Sequence, residues 1–94
     1  MAGADDRRER IETALRERLL ARHVEVIDES HLHAGHAGAA SGGGHFRALV
    51  VAEAFEGQSS LERQRRVYAA LAREMGSDIH ALSLRTLTPS EWVK

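Results

Sequence analysis

Histidine is the residue in this chain that can do chemistry. Six are present (His23, His31, His33, His36, His45 and His80), and cysteine is absent. Four of the six fall within the stretch DESHLHAGHAGAASGGGHF, residues 28–46, among glycines and alanines. Such a segment is too flexible for a core and too rich in imidazole for an ordinary spacer. Without cysteine there is no disulfide, no thiol catalysis and no thiolate metal site within the chain alone. Imidazole is the remaining borderline metal ligand. Two imidazoles on one rim are half of a metal site. Zinc usually takes four ligands, and Asp28, Glu29 and His31 lie close in sequence as further donors. An iron–sulfur cluster is the other option, because two imidazoles replace two thiolates on one iron in Rieske-type centres. The second iron then needs sulfur ligands from another molecule.

The rest of the chain must position these rings. With 94 residues, 43% of them hydrophobic and 29% charged, it reads as one ordinary globular domain spanning 1–94, with a first few residues expected to be disordered. Thirteen basic against fourteen acidic residues give no bulk attraction to nucleic acid or to an anionic membrane. Apolar runs such as ALVVA are far too short to span a bilayer, and MAGADDRRER has no apolar signal core, so a cytoplasmic location is expected.

The first helix is predicted from about Asp5 to Ala21, with Ile11, Ala14, Leu15 and Leu19 as its apolar stripe. His23 falls at its end, where an imidazolium suits the helix dipole. HVEVID alternates as a strand, Val24 and Val26 on one face and Glu25 and Ile27 on the other. HFRALVVAEAF reads as a second strand with Phe46, Ala48 and Val50 on one face. His45 at its start is expected to hydrogen-bond locally. Between the two strands lies a connection of roughly fifteen residues, where hairpins usually need two to five. Its glycines, Gly35, Gly38, Gly42, Gly43 and Gly44, predict mobility over 29–45.

A second helix is predicted from a Ser59 cap, with Glu62 completing a capping box, to about Met75. Leu61, Tyr68, Leu71, Ala72 and Met75 are its expected buried stripe, Val67 joins Leu71 at four-residue spacing, and Gly76 is its left-handed stop. DIHALSLRTLTP is a third strand, whose alternation sets Leu82 and Leu84 opposite Ile79 and Ala81. Trp92 is expected to pack back as an anchor. The order is helix, strand, strand, helix, strand: an α+β fold with helices on one face of the sheet. A helical crossover of about twenty residues separates the second and third strands, and such crossovers join parallel strands. His80 should therefore sit at the rim where the long loop ends, within reach of His33 or His36.

In order, DESHLHAGHAG, HFRALVVAEAFEG, ERQRRVYAALAREM and IHALSLRTLTPSEW resemble the BolA family over nearly the whole chain, from about Arg8 to Trp92. The resemblance implies an αββαβ fold similar to a class II KH domain, with a three-stranded mixed sheet. It implies a non-enzymatic partner of a monothiol glutaredoxin, the two bridged by a [2Fe–2S] cluster, with the isolated apo chain a monomer carrying no cofactor. It implies that one ligand is the histidine opening the last strand, His80. The other is a loop histidine: the family's ES-two-residues-H pattern matches Glu29, Ser30 and His33, and His36 in the GHAG insertion competes. The partner's cysteine and its glutathione would complete the ligand set. One departure stands out. Where the family commonly reads RHR in the second helix, this chain has Arg63, Gln64 and Arg65. Because each histidine ligand must be deprotonated, and free histidine titrates near pH 6.5, such a cluster should loosen below about pH 6.

The KH-like shape makes nucleic acid the rival partner, with Arg47, Arg63, Arg65 and Arg66 as phosphate contacts and a transcriptional role. No GXXG motif stands at the helix junction to grip a backbone. An enzyme is the weakest reading: HExxH, a phosphate loop and an ordered Ser–His–Asp set are missing.

Overall fold

The structure, a computed structural model, describes residues 4–30 and 44–92. The elements are α1 (Ala4–Leu19), β1 (His23–Asp28), β2 (Gly44–Val51), a 3₁₀ turn (Glu53–Phe55), α2 (Ser60–Ala70), β3 (Ile79–Leu87) and a terminal α3 (Pro89–Trp92). The sheet order is β1-β2-β3, with β1 antiparallel and β3 parallel to β2. This is the predicted α+β fold with a mixed three-stranded sheet, extended by one short helix.

α1 buries the stripe its spacing predicts: Ile11, Ala14, Leu15 and Leu19 join Val24, Val26, Phe46, Ala48 and Val50 in one core. It stops two residues earlier than predicted. Leu20 turns left-handed (φ 52°), and the Ala21 N–H reaches back to the Arg16 carbonyl at 3.2 Å. That is the closing bond of a Schellman cap, with leucine where glycine is usual. His23 lies beyond this cap. It opens β1 rather than ending the helix, and its ring stacks on Trp92 at 4.6 Å and 20°. Nε2 of the same ring lies 2.7 Å from Oε2 of Glu25.

The alternation of β1 and β2 is as read, with Ile27 51% exposed on the open face. β3 departs from simple alternation. Gly44 pairs with Ile79 but His45 pairs with Ala81, so His80 is an extra residue in β3. This bulge turns Ile79 into the core on the side of Leu82 and Leu84, instead of opposite them.

Ser59 and Glu62 form the predicted capping box, with Glu62 N–H donating to Ser59 Oγ (3.1 Å) and Ser59 N–H to Glu62 Oε1 (2.8 Å). α2 is shorter than predicted, ending at Ala70 in turns that lead to Gly76 (φ 89°). Its buried line runs through Val67 and Leu71, with Met75 packed beside them, and leaves the other three members of the expected stripe in solvent. Leu61 is 56% and Tyr68 40% exposed, and Ala72 is exposed as well. Arg18 of α1 fastens the end of α2 in this orientation by donating to the Ala70 carbonyl (2.6 Å) and to Glu74 (3.0 Å).

α3 is capped by Thr88, which exchanges bonds with Glu91 in a second capping box (Thr88 N–H to Oε1, 2.9 Å; Glu91 N–H to Oγ1, 3.2 Å). Trp92 then returns to the sheet, as expected, on the face opposite α1 and α2.

Candidate metal centre at the sheet rim

β1 ends, and β2 and β3 begin, at one rim. The predicted parallel crossover is present, so His80 stands where the chain returns from residues 31–43. His33, His36 and His31 lie outside the described residues. The two feet of that connection are tied together. Glu29 N–H donates to the His45 carbonyl (2.7 Å), and His45 N–H donates to Ser30 Oγ (3.0 Å). Ser30 N–H donates to Asp28 Oδ1 (2.8 Å), and Arg47 Nε–H to Glu29 Oε2 (3.0 Å). Asp28 and Glu29, considered above as extra ligands, thus hold the backbone and Arg47.

Gly44, predicted as loop, is the buried first residue of β2. A Cβ there would lie 2.6 Å from the Phe46 ring and 2.9 Å from Ser30 Oγ, so the close approach demands glycine. Its N–H donates to the Asp78 carbonyl at 3.0 Å. The Asp78 carboxylate in turn takes both Nε–H (3.2 Å) and an Nη2 hydrogen (2.9 Å) from Arg10 of α1. The turn leading into His80 is therefore braced from both sides.

On this brace His80 is exposed, and its ring lies 5.3 Å from that of His45, inclined at 49°. The bulge makes this possible by leaving His80 without a rung of its own. His45 was readable only as a strand-opening residue. The signal that finds it is topological, because two parallel strands that each carry histidine as their second residue start at the same rim. Among the described residues, no group of three or more His, Cys, Asp or Glu is close enough to hold a metal ion.

The four arginines of the nucleic-acid reading are not brought together. Arg63 is only 14% exposed and points inward, donating to the carbonyls of Gln58 (3.0 Å) and Thr86 (3.3 Å) and to both carboxylate oxygens of Glu91 (2.8 and 3.3 Å). That pairing raises the arginine's affinity for its proton, the Glu91 hydrogen bond being the main cause. Arg66 donates to Gln58 (2.9 Å) and Arg47 to Glu29. Arg65 projects from α2. Arg47 and Arg85 instead flank a shallow depression of about 270 Å³ on the open sheet face, floored by Ile27 and Leu49.

The chain is a helix-backed mixed sheet with two histidines side by side at the loop rim, and residues 15–91 match the BolA-like protein family. The chain belongs to that family. It is 42% identical over 85 residues to the DNA-binding transcriptional regulator BolA of Escherichia coli, covering 90% of this chain and 78% of that one. It is 44% identical over 82 residues to BolA-like protein 1 of Homo sapiens, where it spans 87% of itself but only 58% of the relative. Among solved structures, the BolA domain of SufE1 from Arabidopsis thaliana superposes with a TM-score of 0.79 at 38% identity, covering 97% of this chain and 99% of that domain. BolA1 from the same plant gives 0.76 at 32% identity, covering 93% and 96%.

Proposed function

We propose that this chain is a non-enzymatic adaptor that binds a monothiol glutaredoxin and shares its [2Fe–2S] cluster, serving iron–sulfur trafficking or iron sensing in the cytoplasm. His80 supplies one imidazole, and His33 or His36 the second. The observation that carries the reading is the placement of His80, exposed on a bulge at the rim where residues 31–43 begin and end. From Ser30, three peptide units bring His33 within about 11 Å of the rim, and six bring His36 within about 21 Å, so chain length permits either. The donor set fits a shared cluster, because a cysteine-free chain offering imidazoles leaves the sulfur ligands to a partner. Bound there, the cluster supplies redox and transfer chemistry. Replacing thiolate by neutral imidazole changes its potential and lability.

The test is anaerobic cluster reconstitution with a monothiol glutaredoxin, followed by visible circular dichroism and size exclusion. A mixed-cluster spectrum on a one-to-one complex is expected. Its absence, with the glutaredoxin homodimer spectrum unchanged, overturns the reading.

A second reading, nucleic-acid binding, draws on the E. coli relative's name and on Arg65 and Arg85. Both are exposed, with no hydrogen bond or ion pair of their side chains among the described residues. Salt-dependent DNA binding that Arg65→Ala weakens and His80→Ala spares would favour it.

A further inference from the structure

A sheet covered by helices on one side can leave its other face to water, and alternation then makes that face polar. Here the open face is not uniformly polar. The pairing sets Ile27, Arg47 and Ser83 across one row of it, and Glu25, Leu49 and Arg85 across the next. Read diagonally, Ile27 and Leu49 form an aliphatic line, and Arg47 and Arg85 a basic one. The two lines run parallel, one strand spacing or about 5 Å apart. Together they border the depression of about 270 Å³. The row beyond, His23, Val51 and Leu87, is closed: Trp92 stacks on His23, and Val51 is fully buried. Ile27, by contrast, is 51% exposed.

We propose that this face docks an acidic amphipathic helix of a partner protein, its aliphatic stripe on Ile27 and Leu49 and a neighbouring row of carboxylates on Arg47 and Arg85. Size, spacing and charge select this occupant. The depression is smaller than the ~300–1,000 Å³ of pockets that enclose free ligands, so it suits side chains projecting from a larger surface. Residues three and four apart on a helix are neighbours at about 5–6 Å, so an acidic row and an aliphatic row lie side by side there. An extended chain turns only a single line of side chains to one face. Glu29 takes only the Nε hydrogen of Arg47 (3.0 Å), and the Arg85 side chain makes no hydrogen bond or ion pair among the described residues. Glu25 sits across Leu49 from Arg85, with Oε2 2.7 Å from Nε2 of His23. A row of carboxylates can meet the two guanidinium groups and leave Glu25 aside. A continuous phosphate chain would have to pass Glu25 and Glu29, and a floor of Ile27 and Leu49 gives bases no ring to stack on.

An NMR titration of the isotope-labelled whole chain reads the contact. The probe is a capped alanine-based helical peptide with glutamates in one i, i+4 row and leucines in the adjacent row. Amide shifts centred on Ile27, Leu49 and Ser83, saturating between about 0.1 and about 5 mM peptide, are expected. Peptides with glutamine for glutamate, or alanine for leucine, should each bind more weakly. Arg85→Gln should weaken binding by about threefold, as loss of one exposed ion pair allows, and Arg85→Glu by more. Ile27→Thr keeps a strand-forming residue, removes part of the aliphatic line and should also weaken it. Added salt should weaken the glutamate peptide and spare the glutamine one. Far-UV circular dichroism confirms that each variant is folded. No shifts at these amides overturn the proposal. So does full binding by either control peptide, or binding indifferent to both Arg85→Gln and Ile27→Thr. Duplex DNA that shifts these amides where the peptide does not would assign the face to nucleic acid and overturn it as well.

Discussion

His45 and His80 stand side by side across the first rungs of the parallel ladder, their rings 5.3 Å apart. One is half-buried and the other exposed, so they separate donor function from packing. His80→Ala should abolish the mixed-cluster circular dichroism while changing stability by no more than about 0.5 kcal/mol, the usual range for a surface position. His45→Ala should alter the spectrum without removing it, whereas loss of the cluster is expected for His33→Ala or His36→Ala. A cluster lost in His45→Ala and kept in both loop variants would move the second ligand to the strand.

The two stripes of α2 make opposite predictions for stability. Leu71→Ala removes a fully buried side chain and should cost about 2–5 kcal/mol. Leu61→Ala removes an exposed side chain and should stay within about 0.5 kcal/mol. Urea denaturation of both variants reads the difference, and equal losses would mean that α2 is rotated from the position described.

Acid should release the C-terminal turn. The hydrogen bond from Arg63, then the Thr88 N–H, hold the Glu91 carboxyl well below its ordinary 4.5, at about 2. A depressed carboxylate contributes stability that is whole above its unfolded pKa and lost as the pH falls through the folded one. The contribution should therefore fade from about pH 4.5 down to about pH 2. Trp92, the only tryptophan, is the reporter. Its fluorescence should change across that window in the parent chain, and Glu91→Gln should show the acid form's emission already at neutral pH.

Leu20 holds the left-handed position of the α1 cap, where glycine carries no steric penalty. It adopts φ 52° and is 81% exposed, so its side chain has little packing to lose. Leu20→Gly removes a left-handed penalty of about 1–2 kcal/mol and adds part of that back as unfolded-chain entropy. A net gain of about 0.5–1 kcal/mol, read as a rise of a few degrees in Tm, is expected. A fall in Tm would show that Leu20 makes contacts its exposure hides.

What was legible in the sequence was local. The spacing of Ile11, Leu15 and Leu19, the alternation of HVEVID, and the Ser59–Glu62 pair each encode their element within a few residues, and each formed as read. The bulge at His80 was not legible, because alternation assumes a constant register and nothing in IHAL marks an added residue. The rotation of α2 was hidden for a different reason. Leu61 and Tyr68 are hydrophobic and fall at helical spacing with Leu71, so the pattern alone does not set them apart from Val67. The orientation seen is the one in which Val67 and Leu71 join the core and Arg18 and Glu74, distant in sequence, can pair. The rim position of His80 followed from crossover topology. The same logic applied to His45 would have found its neighbour.

The brace formed by Ser30, Gly44 and Asp78 has an evolutionary consequence. With both attachment points secured to the sheet, the segment spliced between them acts as an interchangeable cassette. Doubling the length of a flexible closed loop costs only about 0.6 kcal/mol, so residues can be added there while the strand pairing stays put. The set of side chains offered at this rim can thus be rewritten by exchanging one short peptide, with the supporting architecture kept unchanged.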